Sequence, residues 1–270
     1  DVILLHGNMS SSCHFLPLFE KNPQGLRLIA PDLRGFGDSS YNRRFDSLAE
    51  LADDVIEFMD ALKIPKAHVL GWSTGGGVAL SLAARYPTRV TSVFSVEGAG
   101  HRGYPIFKKK PDGSSTSIPY KTKEEMAADP VQVAPCIAAL NTQNAAFFEA
   151  VWDYTIYKVK KPSAEDNKLY LSETLKQRCL ADLDWALASF NMSALPNAYG
   201  DGDGSISKIL CPCAFTSGDK DLVVPYQMVI ENANAVRNSL LIKYGDCGHS
   251  PFVDCPERLI KDFSDFIKNQ

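Results

Sequence analysis

The sequence predicts an α/β fold, a mostly parallel sheet covered by helices on both faces. Three observations carry that prediction. Short apolar runs of strand length alternate with segments of helical period. One such run passes through Gly71-Trp72-Ser73-Thr74-Gly75 directly into a helical run, a strand–turn–helix junction. Between Gly98 and Ser205 the strand rhythm stops and helical patterns take over, which marks an insertion rather than a loop. At 270 residues the chain can bury a large core, and one α/β domain with one insertion is expected.

Strand-like runs cover residues 2–5, 26–30, 67–70, 91–96, 213–216 and 239–244. The first is followed by His6-Gly7-Asn8, the second by Asp32-Leu33-Arg34-Gly35-Phe36-Gly37-Asp38-Ser39. A helix follows from Ser47 to Leu62, where Leu48, Leu51, Val55, Phe58 and Leu62 recur at helical spacing. Asp46 or Ser47 caps its start and Pro65 follows its end. The final helix carries Leu259, Ile260, Phe263, Phe266 and Ile267 on one face. Within the insertion, helices are expected near 123–128, 131–140, 145–157, 164–180 and 183–192, and Gly200–Gly204 reads as a hinge back to the sheet. The acidic residues there are spaced like part of a calcium loop but lack the remaining ligands.

The chemistry starts at Ser73. A strand reversing sharply into a helix exposes its apex hydroxyl and aims the helix N-terminus at whatever binds there. A serine needs a base and an orienting acid to become a nucleophile. His249, in Gly245-Asp246-Cys247-Gly248-His249-Ser250-Pro251, follows the last strand-like run and supplies the base. Asp221, in Gly218-Asp219-Lys220-Asp221, supplies the acid, with Asp219 and Glu97 as rivals and Asp219-Lys220 also readable as a solvated turn. All three candidates fall at the carboxyl ends of strands, where open α/β sheets bind ligands. His6 is read as bracing its loop, His68 as packed inside a strand, and His14 and His101 as further residues able to line the site.

These motifs, in the order Ser73, Asp221, His249, resemble the α/β-hydrolase superfamily across almost the whole chain. The resemblance implies a core of residues 1–98 and 206–270 and a helical cap of 99–205 lying over the triad. It implies the backbone N–H groups of Asn8 and Thr74 as oxyanion donors. Trp72, beside the nucleophile, and Trp152, in the cap, are the expected substrate contacts. Family members carry leading strands ahead of the His-Gly strand, and here they are expected to be missing. Relatives that act as dehalogenases or epoxide hydrolases carry Asp at the elbow, so Ser73 argues against both.

The resulting expectation is a serine hydrolase that cleaves a carboxylic ester or lactone of a small, moderately hydrophobic substrate through an acyl-enzyme. Amidase, thioesterase, carbon–carbon bond hydrolase and acyltransferase chemistry use the same triad. A small-molecule receptor with very slow hydrolysis is the alternative from another class. No cofactor or metal is called for. The net charge of −4, with no long basic stripe, argues against nucleic acid. Lys108-Lys109-Lys110 reads as an exposed turn. No apolar stretch approaches the roughly 20 residues of a membrane span, and no signal peptide is read. Seven irregularly spaced cysteines argue for packed thiols and a reducing, cytoplasmic setting. Cys247, near the base, is expected to confer sensitivity to thiol reagents. A monomer or homodimer is expected.

Overall fold

The computed structural model describes residues 1–22 and 25–270. Its main sheet has six parallel strands: β1 (Val2–Leu5), β2 (Leu28–Ile29), β3 (Ala67–Trp72), β4 (Val90–Val96), then, after a hairpin, β7 (Cys213–Gly218) and β8 (Ser239–Tyr244). Their spatial order is β2-β1-β3-β4-β7-β8. The hairpin pairs β5 (Phe107–Lys109) with β6 (Ser115–Pro119).

Alternation along the strands builds two cores. Ile3, Leu5, Val69, Val93 and Phe215 face one layer, with α2 (Leu48–Ala61), α3 (Thr74–Arg85) and α9 (Tyr226–Ala235). Val2, Leu4, Leu70, Phe94 and Ala214 face the other, where Leu259, Phe263 and Phe266 of α11 (Pro256–Lys268) pack. Phe94 meets Phe263 edge-on at 5.3 Å between ring centroids. Ser47 caps α2, accepting from the Glu50 amide, while the Glu50 carboxylate takes the Asp46 amide. That helix ends at Ala61, so Leu62 is exposed and Met59 takes the core position.

The segment 99–205 leaves the end of β4 and returns ahead of β7. It carries the hairpin and helices α4 (Lys123–Ala127), α5 (Ala134–Asn141), α6 (Ala145–Thr155), α7 (Ala164–Thr174) and α8 (Leu180–Ser189). Three local expectations differ: the helix expected over 164–180 ends at Thr174, and two more lie around the hairpin and α5. Lys108 and Lys109 lie in a strand rather than an exposed turn, and the Lys109 ammonium is buried 3.3 Å from the Asp129 carboxylate. The helix expected from residue 131 starts at Ala134, because Asp129 Oδ1 accepts the Val131 and Gln132 amides and holds a turn there. The short helices α1 (Leu16–Glu20) and α10 (Pro251–Asp254) complete the α set. Among the described residues, no helix is long and apolar enough to cross a membrane.

Candidate active site

The end of β3 fixes Ser73. Its backbone sits at φ +55° and ψ −119°, a region that costs a side-chain-bearing residue on the order of 1–3 kcal/mol. The surroundings impose it: the Ser73 amide donates to the Val96 carbonyl at 3.0 Å, and its own carbonyl accepts from Gly76 and Ala99 at 2.9 Å. A Cβ on Gly75 would press into the Leu5 carbonyl, and one on Gly71 into that of Gly75. Close seating of α3 against β1 and β3 therefore requires the two glycines flanking the serine.

His249 Nε2 lies 3.0 Å from Ser73 Oγ, and its Nδ1 lies 2.9 Å from Asp221 Oδ2. The second Asp221 oxygen accepts the Val223 and Val224 amides at 2.7 and 3.0 Å. Burial alone would raise this carboxyl, but the His249 ring and these amides hold it below its ordinary range. Asp219 is exposed and accepts the Cys247 amide instead. Glu97 lies fully buried behind the site, taking the Gly218 amide on Oε2 at 2.9 Å. Burial, then the Asp221 charge, pushes Glu97 well above the carboxylate range.

Ser73, Asn8 and Thr74 share the wall of a cavity of about 160 Å³. Most of the remaining wall is apolar, including Ile106, Leu187 and Val223. His6 braces the neighbouring loop: Nε2 accepts the Leu33 amide at 3.0 Å and Nδ1 donates to the Gly7 carbonyl. Burial drives this imidazole down to about 4, so it stays neutral. The Asp32 carboxylate accepts the Ser12 and Asp38 amides, tying the Asp32–Ser39 loop beside it.

Trp72 and Trp152 do not line this cavity. Trp72 is buried, and its indole N–H donates to the His249 carbonyl at 2.8 Å. Trp152 packs with His14 and Tyr157 in the same aromatic cluster. The residue after the elbow's first glycine ends a strand, so its side chain turns into the layer beneath the site rather than toward Ser73. His14 stacks on Tyr170 at 4.2 Å in that cluster, and His101 pairs with Asn232, so neither reaches the cavity. His68 bonds Ser92 on the next strand. Cys247 is fully buried with its thiol against Cys255, which together with burial pushes it up, so it offers no ready thiolate.

Asp184 of α8 is the wall residue that the sequence motifs do not flag. It is buried, and its Oδ1 accepts from the Asn8 side-chain amide at 3.1 Å. Burial pushes its carboxyl up to about 7. A signal was present: Leu180, Leu183, Asp184 and Leu187 occupy one helical stripe, with an acid where a leucine belongs. Gln132 and Tyr104 also line the cavity.

A parallel sheet with a strand-to-helix serine, and a histidine and an acid at the ends of later strands, defines an α/β-hydrolase class of protein. The chain belongs to the family described as the alpha/beta hydrolase fold, whose sequence pattern matches residues 2–256. It is 26% identical to a pimeloyl-[acyl-carrier protein] methyl ester esterase of Aromatoleum aromaticum, over 95% of this chain and 94% of that one. Among solved structures it is similar to a thermophilic esterase from Thermogutta terrifontis, with a TM-score of 0.74 and 19% identity, covering 99% of this chain and 89% of that one. An enol-lactonase from Burkholderia xenovorans LB400 superposes with a TM-score of 0.73 at 19% identity, covering 99% and 90% of the two chains.

Proposed function

We propose that this protein hydrolyses a carboxylic ester or lactone of a small, moderately hydrophobic substrate through an acyl-enzyme on Ser73. The observation that carries the reading is the Ser73–His249–Asp221 hydrogen-bond series, 3.0 and 2.9 Å long, at the edge of a cavity shared with Asn8 and Thr74. Relatives named as esterases and lactonases support it. His249 Nε2 takes the Ser73 proton as Oγ attacks the carbonyl carbon, and Asp221 steadies the imidazolium. The N–H groups of Thr74, at the first position of α3, and of Asn8, which bond no other group among the described residues, receive the oxyanion. The protonated histidine gives its proton to the departing alcohol. Water, deprotonated by the same nitrogen, then releases the acid. Residues 99–205 act as the cap over this site, and Trp72 and Trp152 stand behind it as support. The free cysteines fit a reducing, cytoplasmic setting.

Intact mass after treatment with a small fluorophosphonate tests the reading. One adduct on wild type, none on Ser73→Ala, and loss of at least about 10⁴-fold in turnover in Ser73→Ala and His249→Ala are expected. An unlabelled, folded wild type, or full activity in Ser73→Ala, overturns it. Labelling at Ser73 with only very slow release of product on an ester and lactone panel turns the assignment to a receptor.

A further inference from the structure

Asp182 and Asp184 sit on the same turn of α8, both buried, with opposite fates. Asp182 is fully engaged: Arg44 Nε reaches it at 3.0 Å, Lys123 Nζ at 2.9 Å, and the Tyr41 hydroxyl donates to it. Asp184 has one donor, the Asn8 amide on Oδ1. Among the described residues its Oδ2 accepts no hydrogen bond, and no cation pairs with it. Instead the residue lines the cavity beside Ser73, in a wall that also carries Thr74, Gln132 and Tyr104; among the described residues none of these donates to Asp184, and the Tyr104 hydroxyl is spent on the Val223 carbonyl. A desolvated carboxyl left without a donor is strongly unfavourable. A cavity of this size admits water, which can meet that need until substrate arrives. A substrate that fills the cavity expels the water and must either bring a donor or leave Asp184 bare.

We propose that the cavity takes an ester or lactone whose acyl or alcohol part bears a hydrogen-bond donor, a hydroxyl or an ammonium group, received by Asp184. This deepens the reading of Ser73 as nucleophile and rests on it. Ser73 and Asp184 share this one cavity, so a substituent on an ester held at Ser73 is the part of the substrate that meets Asp184. Sites built to bond a substrate hydroxyl or amine reject the isostere that lacks it far more sharply than apolar pockets separate chain lengths.

Three methyl esters that differ at one substituent test this: methyl 3-hydroxybutyrate, methyl 3-aminobutyrate and methyl 3-methylbutyrate. Hydrolysis is followed by acid release for wild type, Asp184→Asn and Asp184→Leu, with fluorophosphonate labelling of Ser73 in parallel. Wild type is expected to favour the hydroxy or amino ester over the methyl one by at least about tenfold in kcat/KM. Asp184→Leu is expected to erase that ratio. Asp184→Asn, which keeps an acceptor for Asn8 but no charge, retains a hydroxyl preference and loses an ammonium one, so it separates the two donors. A wild-type ratio near one with Ser73 labelled overturns the inference alone. So does a ratio that Asp184→Leu leaves intact while turnover of all three esters falls together, because Asp184 would then only hold Asn8 in place. No labelling and no turnover overturns the reading of Ser73 and the inference with it. The wild-type ratio needs no variant to fold.

Discussion

The sheet core and the segment 99–205 share apolar packing but differ in what fixes their residues in register. In the core, parallel ladders and the alternation of Val2, Ile3, Leu4 and Leu5 bury two apolar faces, and Ser73 is positioned by backbone groups and glycines. The segment shares both apolar clusters with that core, through Leu183 and Leu187 in one and Phe148 and Trp152 in the other, and adds buried polar clasps at the seam. Thr174, Gln177 and Asp184 reach residues 8 and 9: the Thr174 hydroxyl donates to the Met9 carbonyl at 2.7 Å, and the Gln177 amide donates to Asn8 Oδ1 at 2.8 Å. Asp182 gathers Tyr41, Arg44 and Lys123. Asp254 accepts the Gly248 amide beside His249 and the Lys160 amide from the segment. Apolar packing is non-directional and forgiving; a buried carboxylate with several donors fixes one register. The difference teaches that Ser73 is placed by the core, while polar contacts made across the seam hold the facing wall in register.

The sharpest way to break the comparison is at Gly75. An alanine methyl there would press into the Leu5 and His6 carbonyls, backbone atoms that cannot swing aside. We expect Gly75→Ala to lose more than about 4 kcal/mol of stability, or to fail to fold. Denaturant unfolding reads this directly. A loss below about 1 kcal/mol would show that α3 can lift off β1, and that the elbow is less rigid than its geometry implies.

Asp182 probes the clasp in the same way. Burial alone would raise this carboxyl, but hydrogen bonds from Arg44, Tyr41 and Lys123 hold it down at about 2. Asp182→Ala leaves the nearly buried Lys123 with only Asp46 and the Phe45 carbonyl and deprives Arg44 and Tyr41 of their acceptor, and is expected to destabilise by about 3 kcal/mol. A depressed carboxylate contributes stability that is present above its unfolded pKa and lost as pH falls toward the folded one. The gap between wild type and Asp182→Ala should therefore be full at pH 6 and narrow as pH drops from about 4 toward 2. A gap that does not vary with pH would assign the loss to packing rather than to charge.

What the sequence made legible follows the same division. Strand alternation, the glycines around Ser73 and the turns bearing Asp221 and His249 are local signals, each written within about ten residues. They placed β1, β3, β4, β7 and β8 to within a residue or two at each end. The wall of the cavity is non-local. Asp184 meets Asn8 across 176 positions, and Gln132 enters only because Asp129 turns the chain ahead of α5. No spacing rule ties those residues together. The β5–β6 hairpin escaped for a related reason: Lys108-Lys109-Lys110 reads as solvated charge until Asp129 is brought beside Lys109. Trp72 and Trp152 lie outside the cavity wall: nearness in sequence to Ser73 does not give the direction of the Trp72 side chain, and a place in an aromatic-rich segment does not bring Trp152 to the pocket.

Trp72 stands on the seam and offers the finest test. Its ring touches Trp152 of the segment and Phe252 of the core, at 6.2 and 5.6 Å between centroids, and its N–H donates to the His249 carbonyl. Trp72→Phe keeps most of the apolar surface, removes the donor and leaves the buried His249 carbonyl unpaired. The expected loss is about 1–2 kcal/mol of stability. Because the freed loop carries His249, kcat should fall several-fold with KM unchanged. A residue that touched substrate would behave in the opposite way, raising KM while leaving thermal stability alone. Measuring Tm, kcat and KM on this one variant separates support behind the site from contact within it. A rise in KM without a fall in Tm would return Trp72 to the wall of the cavity and make the aromatic cluster, rather than Asp184, the surface that selects the substrate.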